Sequence, residues 1–319
     1  MEGTVTLQGG AQNGSLDPQL ISSIFSYHNT FISTTLNIFD TSLLVTMADF
    51  GLAKGQGYML DRTHAAACRL NLQFYLWKDA IGFNIHPSIP ISKSCIIADV
   101  AAGTGAWLLD VARTLPNAML EGFDNDLSQA PHEKWLPSNT SMRHWDIFKD
   151  LPEDLVGRFD FVHVRLLVMV VEGRPEGVIR NLLRMLKLEG YLQWDELDCV
   201  NMRVKKVDPA IQTPALDQLV KMSYANGRYN WTLELPKLMT EEGFLDVTME
   251  HFDDKPELVR AFNEQHLLTM EEFALKLLKM GKEDAAGKFF ELIKDAYQEA
   301  VAGAAFCIPR IVCVGRKGG

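Results

Sequence analysis

Residues 99–105 read Asp-Val-Ala-Ala-Gly-Thr-Gly, a run of mostly small side chains that follows a short apolar segment. The apolar residues 95–100 predict a β-strand, and the pattern of residues 107–114 predicts an α-helix. Small residues between a strand and a helix let a ligand approach the backbone closely, and the start of the helix supplies free N–H groups. This turn is therefore predicted to bind a nucleotide-like ligand.

The sequence of the turn narrows the choice of ligand. A dinucleotide site needs a third glycine where this chain has Leu108, and the bulky Trp107 stands beside it. A phosphate loop needs Gly-Lys-Ser or Gly-Lys-Thr, which does not follow. S-adenosylmethionine remains, because its adenosine and methionine moieties need close approach of the backbone but no pyrophosphate cradle. A strand-to-helix turn without a ligand is the alternative.

Two acidic residues follow in the next two predicted strands. Residues 119–123 predict a strand that leads into Asp124, whose carboxylate can accept both ribose hydroxyls. Residues 141–147 predict another strand, in which Asp146 can bind the adenine amino group while its apolar neighbours cover the ring. Either carboxylate can instead serve as a cap, but their order along the chain favours a cofactor site. The residues that this pattern predicts to bind the cofactor are Asp99, Ala101, Gly103, Gly105, Asp124, Trp145, Asp146 and Ile147.

The order of the later elements predicts the fold class. Residues 159–164 and 191–196 predict strands, and residues 175–188 between them predict a helix. Strands that alternate with helices pair in parallel through right-handed crossovers, so we predict an α/β fold with a doubly wound sheet. The runs 245–251 and 310–314 predict two further edge strands.

The chain is predicted to have three parts. Residues 1–17 are rich in Gly, Gln, Asn and Ser and predict a flexible tail, whereas residues 18–90 predict a helical cap that ends in a proline-containing connector. Residues 91–319 predict the S-adenosylmethionine-binding domain. Within it, insertions near 198–231 and 255–303, the second helical throughout, are predicted to form a lid.

The composition limits the partners that we expect. The 319 residues include 31 basic and 41 acidic ones, and the net charge of −10 disfavours nucleic acid and anionic lipid. Polar residues interrupt the apolar segment 31–53, so no membrane span is predicted. The N-terminus lacks a signal-peptide pattern, and the five cysteines show neither a CxxC pair nor a metal-ligand spacing. We expect a cytoplasmic protein with a small-molecule substrate and no metal.

Several segments carry a family resemblance. They are residues 98–105, 122–124, 127–131, 135–139, 145–148, 163–167 and 192–196, with Gly57-Tyr58 and 69–71 upstream. These segments resemble the class I S-adenosylmethionine-dependent methyltransferases, and more narrowly the fungal methyltransferases of secondary-metabolite pathways. The resemblance covers about residues 55–315.

The resemblance implies a seven-stranded sheet whose last strand inserts antiparallel, with N-terminal helices and the insertions covering the active site. It adds Tyr58, Asn125 and His163 to the residues expected to bind the cofactor. The family usually has glycine where this chain has Ala101. The extra methyl group narrows the space under the methionine moiety, so the resemblance implies weaker or shifted binding there.

Methyl transfer is an in-line displacement at a sulfonium carbon, so positioning can supply most of the catalysis. The resemblance places His163 and Arg165 beside the transferred methyl group, and Glu196 ends the next strand at the same mouth. His163 and Glu196 are the candidate bases, whereas Arg165 can hold a substrate oxyanion or pair with Glu196. Each of the three can instead be purely structural. The residues predicted to contact the substrate are Arg165, Trp194, Tyr224 and Tyr229.

The expected function is methylation of an oxygen or nitrogen atom of a small natural product, with S-adenosylmethionine as the cofactor. Two alternatives stay open. The fold can bind the cofactor but catalyse a step without methyl transfer, such as cyclisation, or it can serve as a regulatory binding module.

Overall fold

A computed structural model of the protein describes residues 60–171, 173, 175–224 and 227–319. The β-strands within these residues are β1 (Ile96–Val100), β2 (Met119–Asp124), β3 (Thr140–His144), β4 (Phe159–Arg165), β5 (Leu186–Leu197), β6 (Arg203–Lys206), β7 (Phe244–Phe252), β8 (Ala304–Cys307) and β9 (Arg310–Lys317). The α-helices within them are α1 (His64–Ile81), α2 (Ala106–Thr114), α3 (Glu176–Met185), α4 (Pro214–Tyr224), α5 (Trp231–Glu241), α6 (Val259–Lys279) and α7 (Glu283–Val301). The predicted tail 1–17, the first part of the predicted helical cap and Tyr58 lie outside the described residues.

The main sheet has seven strands in the order β3-β2-β1-β4-β5-β9-β7. Strands β1 to β5 pair in parallel, whereas β9 is antiparallel to both of its neighbours. This arrangement confirms the predicted doubly wound sheet with an antiparallel last strand. Parallel strands are buried on both faces, which explains why β1 is mainly apolar and why most residues of β4, including the polar His163, are buried.

The register of the central strands brings polar residues side by side. Asp99 of β1 pairs with His163 of β4, and His163 pairs in turn with Gln193 of β5. Two residues further along, Arg165 pairs with Asp195. These positions lie at the carboxyl ends of the parallel strands, where doubly wound sheets bind their ligands.

Three predicted elements end at different residues in the structure. Strand β3 ends at His144. Trp145 N still donates to Asp124 O of β2 (3.0 Å), but Asp146 Oδ1 accepts from Phe148 N in a local turn that takes the chain away from the sheet. Helix α3 ends at Met185, and the three residues that were predicted to continue it begin β5. The stretch 255–303, predicted as helical throughout, contains two long helices separated by a turn in which Gly281 has a positive φ of 72°.

Four elements were not predicted. Helix α4 lies inside the first insertion, helix α5 begins at its last residue, and β6 and β8 form a separate two-stranded antiparallel sheet. Strand β6 lies inside the first predicted insertion, and β8 starts directly after the second one. The two segments predicted to form a lid are also hydrogen-bonded directly to each other, since Val207 N donates to Gly303 O (2.9 Å) and the Glu299 carboxylate accepts from Ala215 N (2.8 Å) and Leu216 N (2.8 Å).

A buried ion pair joins α1 to α6. Arg69 Nε lies 2.5 Å from Glu272 Oε1, and both side chains are nearly inaccessible to solvent. At the other end of α6, Lys279 Nζ reaches Asp61 Oδ2, also at 2.5 Å. Helix α6 is thus attached by charged groups to the segment that precedes the sheet.

None of the helices that can be described is long and apolar enough to cross a membrane.

We predict that Arg69→Met lowers the free energy of unfolding by about 3–5 kcal/mol, because it leaves the buried Glu272 carboxylate without its partner. The double variant Arg69→Met/Glu272→Leu removes both charges and should recover most of that loss. Urea unfolding of both variants tests this. A double variant that is less stable than Arg69→Met would contradict it.

Candidate active site

A cavity of about 260 Å³ lies at the carboxyl ends of the parallel strands. The turns after β1, β2, β3 and β4 form one side of it, and residues of α1 and α6 form another. Of the residues predicted to bind the cofactor, those that line the cavity are Asp99, Ala101, Gly103, Asp124, Asn125, Trp145, Asp146, Ile147 and His163. Gly105 is not part of the lining. It is the N-cap of helix α2, and the side chains of Met142 and Pro131 lie against it.

The turn after β1 has the backbone shape that its glycines predict. Gly103 and Gly105 adopt positive φ angles of 55° and 70°. Ala102 N donates to Phe123 O (2.9 Å), which holds the turn against the end of β2. Ala101 also has a positive φ, 58°, where a side chain is disfavoured by roughly 1–2 kcal/mol. Glycine would adopt this conformation without that strain, which is a second cost of Ala101 besides the space that its methyl group takes.

Asp124 is buried at the tip of β2 and faces the turn. Its Oδ2 accepts from Gly103 N (2.8 Å), and its Oδ1 accepts from Asp126 N (3.0 Å). Burial raises the pKa of Asp124, and the two N–H groups and Arg62 oppose this rise without cancelling it. Each carboxylate oxygen can accept a second hydrogen bond. Asp124 therefore fixes the turn and keeps acceptor capacity towards the cavity that it lines.

The turn after β3 lines the cavity with one carboxylate between two apolar side chains. Trp145 and Ile147 are buried, and Asp146 lies between them in the sequence. On the adjacent turn, Asn125 Oδ1 accepts from Arg62 Nη2 (3.0 Å). Apolar groups beside a carboxylate suit a flat ring that carries an amino group.

The most tightly connected part of the site is a group of four charged residues, the Asp–His–Asp–Arg cluster (Asp99, His163, Asp195 and Arg165). His163 Nδ1 lies 2.7 Å from Asp99 Oδ1, and its Nε2 lies 3.3 Å from Asp195 Oδ2. Arg165 donates to the same Asp195 oxygen from Nε (3.0 Å) and Nη2 (2.7 Å). Two carboxylates and two potential cations thus lie together in the buried sheet.

The cluster sets the charge of His163. Burial disfavours the charged ring, but the hydrogen bonds and negative charges of Asp195 and Asp99 outweigh it and raise the pKa of His163. Burial likewise opposes charge on Asp195, but Arg165 and His163 outweigh it and lower its pKa. The imidazole also stacks on Trp107, with ring centroids 4.0 Å apart. Since both ring nitrogens face carboxylates, this geometry favours a positioning role for His163 over that of a base.

Arg165 pairs with Asp195, not with Glu196 as the sequence analysis had suggested. Adjacent residues of a strand point to opposite faces, so only one of the two acids can reach β4's Arg165 across the sheet. The guanidinium lies over the ring of Trp77, 5.1 Å from its centroid, and it lines the cavity.

Glu196 is buried and does not line the cavity, contrary to the expectation that it faces the mouth. Its Oε2 accepts from Val168 N (3.0 Å) and Trp194 Nε1 (3.3 Å), and its Oε1 accepts from Leu197 N (3.0 Å). Burial raises the pKa of Glu196 to about 8 despite these donors. The geometry therefore gives Glu196 the task of holding the loop after β4.

Two of the four residues predicted to contact the substrate line the cavity, and two do not. Arg165 and the buried Tyr229 line the cavity. Trp194 does not, because it lies on the face of the sheet where it packs edge-on against Trp231. Tyr224 is 40% exposed and lies outside the cavity lining as well.

Helix α6 contributes Gln265, His266, Thr269, Met270 and Phe273 to the cavity lining. The sequence pattern did not single out the three polar residues among them. The spacing of the five residues, i, i+1, i+4, i+5 and i+8, is that of one helix face. The signal in the sequence was the presence of three polar residues on a helix face that is otherwise apolar. Such residues indicate a face that contacts a ligand as well as the core.

Known proteins similar to this chain are fungal methyltransferases. Methyltransferase grgD of a Penicillium species is 38% identical over 121 residues, which is 36% of this chain and 42% of that protein. N-methyltransferase verN of Clonostachys rogersoniana is 26% identical over 61% of this chain and 68% of that protein. The secondary metabolism regulator laeA of Coprinopsis cinerea is 33% identical over 33% of this chain and 25% of that protein.

The alignment spans less than half of the first of these proteins. No protein-family model matches the chain. Among solved structures, a putative methyltransferase from an antibiotic biosynthesis pathway of Anabaena variabilis has a TM-score of 0.47 and 15% identity, over 70% of this chain and 91% of that one. That similarity is too low to bear on activity. The sequence similarity and the strand order together confirm the resemblance to class I methyltransferases of fungal secondary metabolism.

We predict that the contribution of Glu196 to the free energy of unfolding falls as the pH rises from 4.5, the ordinary pKa of a glutamate, to about 8, the pKa of Glu196 in the folded protein. In this window Glu196 binds a proton more strongly in the folded than in the unfolded state, so its contribution falls by about 1.4 kcal/mol for each pH unit. Glu196→Gln should remove this component. Urea unfolding at pH 5, 6.5 and 8 measures it, and an identical pH dependence in both proteins would contradict the prediction.

Proposed function

We propose that this chain is an S-adenosylmethionine-dependent methyltransferase that acts on a nitrogen or oxygen atom of a small, largely apolar natural product. The observation that carries the proposal is that one cavity joins the glycine turn and Asp124 to side chains of α6 and to apolar side chains such as Met202 and Ile308. A cofactor and a second small molecule can therefore meet in a single space closed by helices.

The residues on the sheet side fit the cofactor. Asp124 keeps one acceptor position on each carboxylate oxygen after it has bound Gly103 N and Asp126 N, which matches a pair of ribose hydroxyls. Its raised pKa is what a buried carboxylate shows before ligand donors stabilise its charge. Asp146 is suited to the adenine amino group, with Trp145 and Ile147 against the ring.

Bound S-adenosylmethionine supplies a methyl group that is already activated by its sulfonium centre. The task left to the protein is to orient the reactants and exclude water. The Asp–His–Asp–Arg cluster keeps the ends of β1, β4 and β5 in register at the cavity. Because His163 is held between two carboxylates, we assign it and Arg165 to positioning, and the proposal requires no protein base.

Similar proteins support transfer to nitrogen, since verN, tcpN of Claviceps purpurea and sirN of Leptosphaeria maculans are all named N-methyltransferases. The similarity to the regulator laeA supports a second candidate, a regulatory methyltransferase-like module. The cavity favours the first candidate, because mainly apolar side chains in an interior space suit a small molecule. The net charge of −10 also disfavours a nucleic-acid partner, and a cytoplasmic location stays part of the proposal.

We predict that Asp124→Asn weakens the binding of S-adenosylhomocysteine by roughly ten- to a hundredfold, the scale of a charged hydrogen bond. The asparagine oxygen can still accept from Gly103 N, so the turn should keep its shape. The control is Asp154→Asn, which changes an exposed carboxylate that pairs with Arg143. Titration calorimetry gives both affinities. Equal affinities for the wild type and a folded Asp124→Asn would contradict the assignment.

We predict that transfer is stoichiometric. Cell extract that contains the substrate, incubated with the protein and methyl-labelled S-adenosylmethionine, should yield one S-adenosylhomocysteine for each product molecule, because each transfer uses one methyl group. Mass spectrometry of both species measures the ratio. Substrate conversion without S-adenosylhomocysteine would instead indicate a step such as cyclisation.

A further inference from the structure

Helix α6 contributes to the cavity lining two residues with buried polar atoms, Gln265 and His266, that the proposed cofactor contacts do not use. Gln265 is fully buried, and His266 is 6% exposed. Gln265 Oε1 and His266 Nε2 have no hydrogen-bond partner among the described residues. A buried polar atom without a partner costs about 1–3 kcal/mol, so a ligand donor or acceptor at these positions would be stabilising.

The neighbouring Thr269 fixes which end of the Gln265 amide lacks a partner. Thr269 Oγ1 donates its only hydrogen to Gln265 O (3.2 Å), one helical turn earlier. The same oxygen can then only accept, and it accepts from Gln265 Nε2 (3.2 Å). The amide carbonyl Oε1 is therefore the group without a partner, and it is an acceptor.

His266 is uncharged near neutral pH. Burial, followed by the positive charge of Arg310, lowers the pKa of His266 to about 4, and the charge of Asp254 only partly opposes this. A neutral imidazole offers one donor nitrogen and one acceptor nitrogen. The ring lies among aromatic side chains, 5.4 Å from the ring of Phe306 and 6.4 Å from that of Phe262.

The rest of the lining disfavours an anionic substrate group. The cavity arginines Arg62, Arg69 and Arg165 each have a carboxylate partner within the described residues. The apolar part of the cavity lining includes Met202, Met270, Phe273 and Ile308. A substrate anion would face the Gln265 acceptor and a neutral ring, and its desolvation would not be compensated.

We propose that Gln265 and His266 are specificity-determining residues that bind an uncharged N–H or O–H group of a largely apolar substrate, with Gln265 Oε1 as the acceptor. This inference rests on the proposed function and identifies the substrate class for the same cavity. Thr269 is a positioning residue, since it acts through the orientation of the Gln265 amide.

The test uses the full chain saturated with S-adenosylhomocysteine and two probes, indole and 1-methylindole, which differ by the presence of an N–H donor. Ligand-observed NMR gives both dissociation constants. Gln265→Met keeps the length of the side chain but removes the acceptor, and it should weaken indole binding about tenfold while leaving 1-methylindole unchanged. Gln298→Met, on the exposed face of α7, is the matched control and should change neither value.

A second pair of variants tests the orientation of the amide. Thr269→Val removes the hydroxyl and should weaken indole binding about threefold, whereas Thr269→Ser keeps the hydroxyl and should restore it. Equal responses of indole and 1-methylindole to Gln265→Met, or no binding of either probe to the wild type, would overturn the inference and leave the proposed function intact. Calorimetry that shows no binding of S-adenosylhomocysteine would overturn both.

Discussion

The contact on which the site depends is the His163 imidazole held between Asp99 and Asp195. These three residues come from β1, β4 and β5, and all are buried. Buried carboxylates are unstable without compensating charge, and here His163 and Arg165 provide it across the strand register. The cluster joins the ends of the strands from which the turns after β1 and β4 leave, and these turns line the cavity. The charge balance of the cluster therefore affects the strand ends on which the cavity is built.

The cluster also reaches the connector before β1. Gln193 Nε2 donates to Asp195 Oδ1 (2.9 Å) and to Asn84 O (3.1 Å), and its Oε1 accepts from His86 N (2.8 Å). One buried glutamine thus joins the end of α1 to the centre of the sheet. Because α1 also pairs with α6 through Arg69 and Glu272, the helices that cover the cavity and the strands that form its floor share one network of polar contacts.

Sequence patterns predicted the features that depend on local order. The glycine turn, Asp124 and the alternation of strands and helices follow from short-range periodicity, and the structure has them where predicted. The partners of side chains on β5 did not follow, because the strand alternation decides that Asp195 and not Glu196 meets Arg165. The contribution of α6 to the cavity could not be predicted either, since the environment of Gln265 depends on packing between distant segments. The pattern of a single sequence does not reveal contacts between residues so far apart in the chain.

In the proposed function, His163 and Arg165 orient the reactants rather than transfer protons, and His163 is a charged group between two carboxylates. The direct measurement is a ¹⁵N NMR titration of the His163 ring in protein labelled at histidine. We expect both ring nitrogens to stay protonated up to a titration midpoint above pH 6.5, the ordinary pKa of histidine, because the effect of the two carboxylates on the pKa of His163 outweighs that of burial. A midpoint below 6.5 would mean a neutral ring that can accept a proton, and it would contradict the account.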